Sequence, residues 1–253
     1  RDIVDRSPCR VSVSFLGGWG LCAAVLLLGA SLSAPVAAIE QHTAHGGPVK
    51  GLTVSPDGRW LVSTSFDYSA VLWSIPDFTE RRRLIGHEAA VNSAAFSPDG
   101  RYLVTAGDDR TLRVWRVDEL LDPAIEPIAR VLEGHTAKVV DLAFSADGRW
   151  LASSSWDHSI GLWSVPAFDR KASLRAHEGP VNAARFANQG RTLYSAGGDG
   201  HVRQWDVEAA KYVRSPVENG WGINVLAIDE TQDLLAYGTA NGRMCSTSLN
   251  GDR

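Results

Sequence analysis

Cysteine is scarce in this chain of 253 residues, and its 25 Lys and Arg residues are outnumbered by 29 Asp and Glu residues. The three cysteines, Cys9, Cys22 and Cys245, form no CxxC pair and no spacing typical of a zinc site or a disulfide framework. The formal net charge is −4, and no basic stripe marks a surface for nucleic acid. We therefore expect no metal, no cofactor and no nucleic-acid partner.

Long apolar runs are also few, and the densest, Leu21–Leu28, lies near the N-terminus. Three arginines precede it, and small residues follow as far as Val36-Ala37-Ala38. This order is typical of a secretory signal peptide, so we expect residues 1–38 to be removed after Ala38. An uncleaved anchor is the alternative, although the run is shorter than the roughly 20 residues that span a bilayer. The signal predicts export to the periplasm or the cell exterior, with membrane contact only during export.

Four residue types recur at fixed offsets through most of the remaining chain. Each of four His residues is followed by a Trp 28 residues later, with an Asp six residues before the Trp and a Ser or Thr four before the Asp. The copies repeat after 42, 48 and 42 residues, which indicates an insertion of about six residues within Asp118–Pro127. We call these the anchor residues: His45, Ser63, Asp67, Trp73; His87, Thr105, Asp109, Trp115; His135, Ser153, Asp157, Trp163; His177, Ser195, Asp199, Trp205.

Between the anchors, apolar and polar residues alternate as they do in short β-strands. In the second copy, Val91 and Phe96 mark one strand, Tyr102–Thr105 a second and Thr111–Trp115 a third. The turn Ser97–Arg101 has Pro and Gly at positions that favour a tight reversal. With a short fourth strand after each Trp, the pattern predicts an all-β fold in which each repeat is one four-stranded propeller blade.

The dipeptides around the anchors resemble those of the WD40-repeat family. Gly86-His87 and Gly134-His135 match its GH dipeptide, and Trp205-Asp206 matches its WD dipeptide. The resemblance covers about residues 42–215, and residues 219–250 resemble a fifth blade without the His and Trp. It predicts a WD-repeat β-propeller over residues 39–253, behind the signal peptide. The predicted blades are residues 45–85, 87–132, 135–174 and 177–213, with a partial blade at 219–250.

Four complete blades and part of a fifth rarely close a ring, for which the resemblance implies seven blades. A blade without a neighbour exposes apolar surface and an unpaired edge. We therefore expect the ring to be incomplete in this chain, and the sequence to be a fragment of a bacterial exported protein. Self-association that closes the ring is the alternative.

The recurring Ser, His and Asp are reminiscent of a catalytic triad, but four equivalent copies argue against one special catalytic site. The resemblance implies instead that Asp bonds to His, His to Ser or Thr, and Ser or Thr to Trp. Such a chain would satisfy polar groups inside strands that are buried on both faces. We expect all sixteen anchor residues to be structural, no residue to be catalytic, and the protein to be no enzyme.

The residues on either side of each anchor Asp differ between the copies. Large aromatics at solvent-facing turns are unusual without a function, and aromatics and Arg dominate interface energies. Packing against an adjacent loop is the alternative interpretation. Our candidate partner-binding residues are Phe66, Tyr68, Asp108, Arg110, Trp156 and His158.

These features together predict a non-enzymatic scaffold for protein–protein interaction in the cell envelope. One alternative is the docking or recognition propeller of a larger exported redox protein with a c-type cytochrome domain beyond residue 253. The sequence given contains no CxxCH for attaching haem. A propeller enzyme that uses its central channel is a third class, but no His, Glu or Cys cluster departs from the repeat to favour it.

Overall fold

The structure, a computed structural model, describes residues 43–249. The predicted signal peptide, residues 1–38, lies outside them. The described residues are mainly strand and turn, arranged in five antiparallel sheets that follow one another along the chain. Within this range, no helix is long and apolar enough to cross a membrane.

Each of the first four sheets has four strands paired in chain order, and the fifth has three. The first sheet contains β1 (Val49–Val54), β2 (Trp60–Ser65), β3 (Ala70–Ser74) and β4 (Glu80–Leu84). The second contains β5 (Val91–Phe96), β6 (Tyr102–Gly107), β7 (Leu112–Arg116) and β8 (Arg130–Leu132). The third contains β9 (Val139–Phe144), β10 (Trp150–Ser155), β11 (Ser159–Ser164) and β12 (Arg170–Arg175).

The fourth sheet contains β13 (Val181–Ala187), β14 (Thr192–Gly197), β15 (His201–Asp206) and β16 (Lys211–Glu218). The fifth contains β17 (Ile223–Asp229), β18 (Leu234–Thr239) and β19 (Met244–Ser248). No sheet within residues 43–249 closes on itself. The predicted all-β fold, four four-stranded blades with a partial fifth, is confirmed, and we number the sheets as blades 1 to 5.

Because the strands of a blade run alternately up and down, its connections fall at two opposite ends. We call one the anchor end, where the second and third strands are joined by the anchor turns: Phe66–Tyr68, Asp108–Arg110, Trp156–His158 and Gly198–Gly200. At the opposite end, the Ser-Asp end, the first and second strands of blades 1 to 3 are joined by the Ser-Asp turns: residues 55–59, 97–101 and 145–149. The two ends are therefore separate surfaces.

The apolar core lies between consecutive blades. Between blades 1 and 2, Val62 and Leu72 pack with Leu103 and Trp115. Similar clusters fill the next three interfaces. A central strand such as β6 is therefore covered on both faces, and every residue of β6 after Tyr102 is buried.

The face of blade 1 that points away from blade 2 also carries apolar side chains, but no other blade covers it within residues 43–249. Leu52 is 67% exposed and Val54 is 53% exposed. Leu142 and Phe96 hold the same strand positions in blades 3 and 2, and they are 6% and 8% exposed. The outer face of blade 1 thus has the composition of an inter-blade interface.

The predicted insertion forms a short helix, α1 (Val117–Leu121), which the sequence analysis did not anticipate. Val117 and Leu120 are buried in the core cluster between blades 1 and 2. The helix ends before Pro123, because a residue that precedes proline disfavours helical geometry. The insertion therefore adds apolar contact between two blades.

Arg82 on β4 of blade 1 donates hydrogen bonds to carbonyl groups at the end of α1 and just after it, in blade 2. Its guanidinium donates to the carbonyl oxygens of Asp122 at 2.7 Å and Ile125 at 3.2 Å. The last carbonyls of a helix need partners from outside the helix, and Arg82 also lies 3.4 Å from the oxygen of Leu120. The contact holds the insertion in one position.

We predict that Leu120→Ala lowers the free energy of unfolding by about 2–5 kcal/mol, because it leaves a cavity between blades 1 and 2. Leu121→Ala is the matched control. Leu121 is 40% exposed, so its truncation should cost about 0.5 kcal/mol or less. Urea unfolding of both variants measures the difference, and equal losses would contradict docking of α1 on blade 1.

Candidate protein-interaction face

A chain of hydrogen bonds joins the four anchor residues of each blade. In blade 3, His135 Nδ1 lies 2.8 Å from Asp157 Oδ2, and His135 Nε2 lies 2.8 Å from Ser153 Oγ. Trp163 Nε1 donates to Ser153 Oγ at 2.9 Å. The other three copies repeat these contacts at 2.7–3.1 Å. The structure thus brings the sixteen anchor residues together in four sets.

The chemistry of these groups gives the chain a direction. An indole N–H only donates, so the Ser or Thr oxygen accepts from Trp and donates its own O–H to His Nε2. In blades 1 to 3 the Nδ1–H of the His then donates to the Asp, whereas in blade 4 Arg203 Nη1 also lies 2.7 Å from His177 Nδ1. Burial raises the pKa of Asp67, Asp109 and Asp157, but the hydrogen bonds that each carboxylate accepts outweigh burial and hold the pKa well below its ordinary value. Each chain therefore ends on an ionised carboxylate.

The same carboxylates fix the anchor turns. Asp157 accepts the backbone N–H of Thr136 at 3.0 Å and that of Ser159 at 3.0 Å. It therefore ties the loop before β9 to the turn between β10 and β11. The residue after each anchor Asp has positive φ, namely Tyr68 at 68°, Arg110 at 68°, His158 at 67° and Gly200 at 80°. For a side chain other than glycine, this geometry costs roughly 1 kcal/mol.

Each anchor set also has an arginine nearby, which the sequence analysis missed. Arg203 on β15 donates to Asp199 Oδ2 at 2.6 Å, and Arg83 on β4 donates to Ser69 Oγ at 3.1 Å, with its Nη1 3.8 Å from Asp67. In blade 3 the arginine is Arg170 on β12, which donates to the oxygen of Gly134 at 2.7 Å. Arg203 and Arg113 of blade 2 both stand two residues before the anchor Trp, but blades 1 and 3 supply the arginine from the fourth strand, so no single spacing reveals all four.

The glycine of the GH dipeptide makes room for such an arginine. Gly86 and Gly134 both have φ of +139°. A Cβ on Gly86 would lie 2.7 Å from Arg113 Nη1, and one on Gly134 would lie even closer to Arg170 Nη1. Side chains other than glycine rarely adopt this backbone geometry, so the conformation favours glycine, whereas the guanidinium stands at the far end of a flexible side chain and could move aside.

Blade 5 keeps the repeat positions but replaces every anchor residue. The strand register matches that of blade 4, so Asn219, Tyr237, Asn241 and Thr247 stand 42 residues after His177, Ser195, Asp199 and Trp205. The Tyr237 hydroxyl is hydrogen-bonded to the Asn219 side chain. All four replacements are uncharged at neutral pH. Continuing the 42-residue period along the sequence would have found them.

The three candidate aromatics are exposed at the anchor end. Phe66 is 43% exposed, Tyr68 53% and Trp156 44%. The backbone N–H of Phe66 donates to the oxygen of Pro48 at 3.1 Å, and that of Trp156 donates to the oxygen of Lys138 at 3.0 Å. The rings therefore extend from turns whose backbone is bonded to the start of the first strand of the same blade.

Two of these rings each have the ammonium group of a lysine over one face. Lys138 Nζ is 3.5 Å from the centroid of the Trp156 ring, and Lys50 Nζ is 5.1 Å from that of Phe66. A cation over an aromatic face is held by the quadrupole of the ring. Each pair offers an apolar ring beside a positive charge. These lysines were not among the predicted residues, because the contact joins positions that are 16 to 18 residues apart.

The charged candidates have different surroundings. Arg110 and His158 are exposed beside their anchor Asp residues. Asp108 is half-buried, and its Oδ1 accepts from Asn92 Nδ2 at 2.7 Å. Asn92 also donates to the oxygen of Val139 in blade 3 at 2.9 Å. Asp108 therefore takes part in holding blades 2 and 3 together.

Within residues 43–249, no three His, Cys, Asp or Glu side chains form a candidate metal site.

The family model for the WD domain, G-beta repeat, matches residues 36–74, 78–116, 126–164 and 168–206. Each match ends one residue after an anchor Trp. These matches cover more than half of the chain, which belongs to the WD40-repeat family. Comparison with curated proteins found no match. WD40 repeats generally mediate protein–protein interaction, and their propeller fold is typically a non-enzymatic scaffold.

The fourth anchor set predicts a dependence of stability on pH. Burial lowers the pKa of His177 to about 4 from 6.5, although Asp199 beside it favours the charged form. Between these pH values the unfolded chain binds a proton that the folded chain does not, so the free energy of unfolding falls as the pH falls. Protonation of the anchor carboxylates, whose pKa values are lowered on folding, should add a loss below about pH 4.

Urea unfolding between pH 7 and pH 4.5 should show this loss for the wild type and a smaller slope for His177→Gln. The comparison uses slopes, because the variant is expected to be less stable at every pH. Equal slopes for the two proteins would contradict the assignment to His177.

Proposed function

We propose that this protein is an exported, non-enzymatic scaffold whose anchor end binds a protein partner in the cell envelope. The observation that carries the proposal is the set of three exposed aromatic side chains, Phe66, Tyr68 and Trp156, on turns fixed by hydrogen bonds of the anchor Asp residues. Family membership supports the general role in protein interaction. The order of residues in the segment 1–38 supports export.

Rigid presentation favours binding through these rings. An interface loses affinity when loops and side chains must become ordered on association. Here Asp67 accepts the backbone N–H of Ser69 at 3.0 Å and that of Gly46 at 2.9 Å, so the turn that carries Phe66 and Tyr68 is already held. Little ordering of this turn is left for the binding step.

The backbone at these turns also favours a role for the side chains. A glycine would adopt positive φ without strain, as Gly200 does in blade 4. Tyr68, Arg110 and His158 keep larger side chains at the same position. Local strain retained on an exposed turn is a feature of functional sites. We therefore include these three residues in the proposed contact surface.

The Lys–aromatic pairs indicate which chemical groups the partner would present. Trp156 offers area for apolar burial, and Lys138 places an ammonium group next to it. Phe66 and Lys50 repeat this arrangement in blade 1. A protein surface with an apolar side chain next to a carboxylate would satisfy both groups of such a pair.

The double variant Phe66→Ala, Trp156→Ala should lose most of its partner in a pull-down from the cell-envelope fraction of the source cells. We expect recovery of the partner to fall by roughly tenfold or more, since truncating two interface aromatics costs more than about 1.4 kcal/mol. The cytosolic fraction should give no partner that depends on these residues.

Tyr212→Ala is the matched control, because Tyr212 is 48% exposed on β16, outside the anchor turns. It should retain the partner. Urea unfolding should show that the double variant is folded. An unchanged partner profile for a folded double variant would reject the proposed surface.

A further inference from the structure

We propose that a cleft at the Ser-Asp end, between blades 1 and 2 and helix α1, binds a short acidic segment of a partner protein through a large apolar side chain and its flanking carboxylates. The cleft has a volume of about 630 Å³ and is lined by two Ser-Asp turns and by residues 116–118 and 121. This volume is within the usual range of ligand pockets. The cleft lies at the opposite end of the strands from Phe66 and Trp156.

The cleft arises where the chain departs from the repeat. In blade 3, a short connection between β11 and β12 places Phe168 edge-on against Tyr102 of blade 2, with the ring centroids 5.1 Å apart. Trp60 holds the position of Tyr102 one repeat earlier. The connection that faces Trp60 is the longer one that contains α1, and it leaves Trp60 half-buried beside open space. The insertion therefore creates an apolar recess in place of a filled contact.

The apolar part of the cleft is formed by four side chains from three segments. Trp60 and Tyr102 come from the two blades, and Val117 and Leu121 come from α1. Leu121 is 40% exposed although its neighbour Leu120 is buried. A large apolar side chain placed here would bury aromatic and aliphatic surface together, which is typical of the centre of a protein interface.

The carboxylates around the cleft already have partners within their own segments. Asp57 Oδ1 accepts from Ser55 Oγ at 2.5 Å and from the backbone N–H of Arg59 at 3.1 Å. Asp99 accepts from Ser97 Oγ at 2.6 Å in the same way. Asp118 accepts from Arg116 Nε at 3.1 Å. These carboxylates therefore need no cation from a ligand.

Two guanidinium groups at the cleft donate no side-chain hydrogen bond among the described residues, although each belongs to a turn that also contains a carboxylate. Within residues 43–249, the side chains of Arg59 and Arg101 make no hydrogen bond; Arg59 Cζ lies 5.7 Å from the centroid of the Trp60 ring, and Arg101 Nε lies 3.8 Å from Asp99. The side chain of Arg101 is 80% exposed. Arg149, at the same turn position in blade 3, instead donates to Asp147 at 2.6 Å. The cleft thus contains two guanidinium groups whose N–H donors can bind the carboxylates of a ligand.

This combination favours an acidic peptide over other ligands. A small free anion would occupy the guanidinium groups but would leave the recess between Trp60 and Leu121 unfilled. A nucleic acid would need a continuous basic stripe along its backbone, and the sequence contains none. A peptide with acidic residues on either side of one apolar residue matches both parts of the cleft.

A phage-displayed library of random dodecapeptides, selected on the purified chain, tests this proposal. We expect enriched peptides to contain Asp or Glu on both sides of Leu, Phe or Trp. Their binding should fall roughly tenfold or more in the double variant Arg59→Gln, Arg101→Gln, which loses two charge-assisted contacts, and it should weaken with added salt. Leu121→Asp should reduce it separately.

Arg149→Gln is the matched control and should bind the enriched peptides like the wild type. The variant Phe66→Ala, Trp156→Ala should also bind them normally, which separates this site from the surface at the anchor end. Two results would overturn the proposal: no peptides enriched on the wild type over the Arg59→Gln, Arg101→Gln variant, or enriched peptides without acidic residues.

Discussion

Burial of the central strands on both faces is the constraint on which the rest of the structure depends. A strand between two blades contacts apolar side chains on either side, so a polar group within it must find its partner inside the protein. The chain from Asp through His and Ser or Thr to Trp meets this requirement and ends on a carboxylate near the surface. That carboxylate also fixes the adjoining turn, so one set of bonds both stabilises a blade and shapes its anchor end.

The repeat could be predicted from the sequence because these bonds require set residue types at set distances along the strands. His135, Ser153, Asp157 and Trp163 have little freedom to change or move. The arginines beside the anchors follow the repeat only in part: Arg113 and Arg203 both stand two residues before the anchor Trp, whereas blades 1 and 3 supply theirs from the fourth strand. A guanidinium on a long side chain can approach from several strands, so no single repeat position contains an arginine in all four blades.

The two proposed binding surfaces lie where the copies differ. At the anchor end, the turns share a backbone conformation but carry different side chains, and the lysines over Phe66 and Trp156 became evident only in three dimensions. At the Ser-Asp end, a six-residue lengthening of one repeat produced α1 and the cleft beside Trp60. Sequence spacing located the insertion but did not predict a helix, because five residues carry too little periodicity. Residues that are the same in the four repeats stabilise the blades, and residues that differ between repeats form the two proposed binding surfaces.

The neighbouring serines of β10 allow the most direct test of the anchor network. Ser153 Oγ accepts from Trp163 and contacts His135, whereas the buried Ser154 Oγ has no hydrogen-bond partner among residues 43–249. Urea unfolding should show that Ser153→Ala lowers the free energy of unfolding by about 1–3 kcal/mol, since it leaves two buried polar groups without a partner. Ser154→Ala should be neutral or slightly stabilising. Equal effects of the two substitutions would contradict the claim that the hydrogen-bonded chain stabilises each blade.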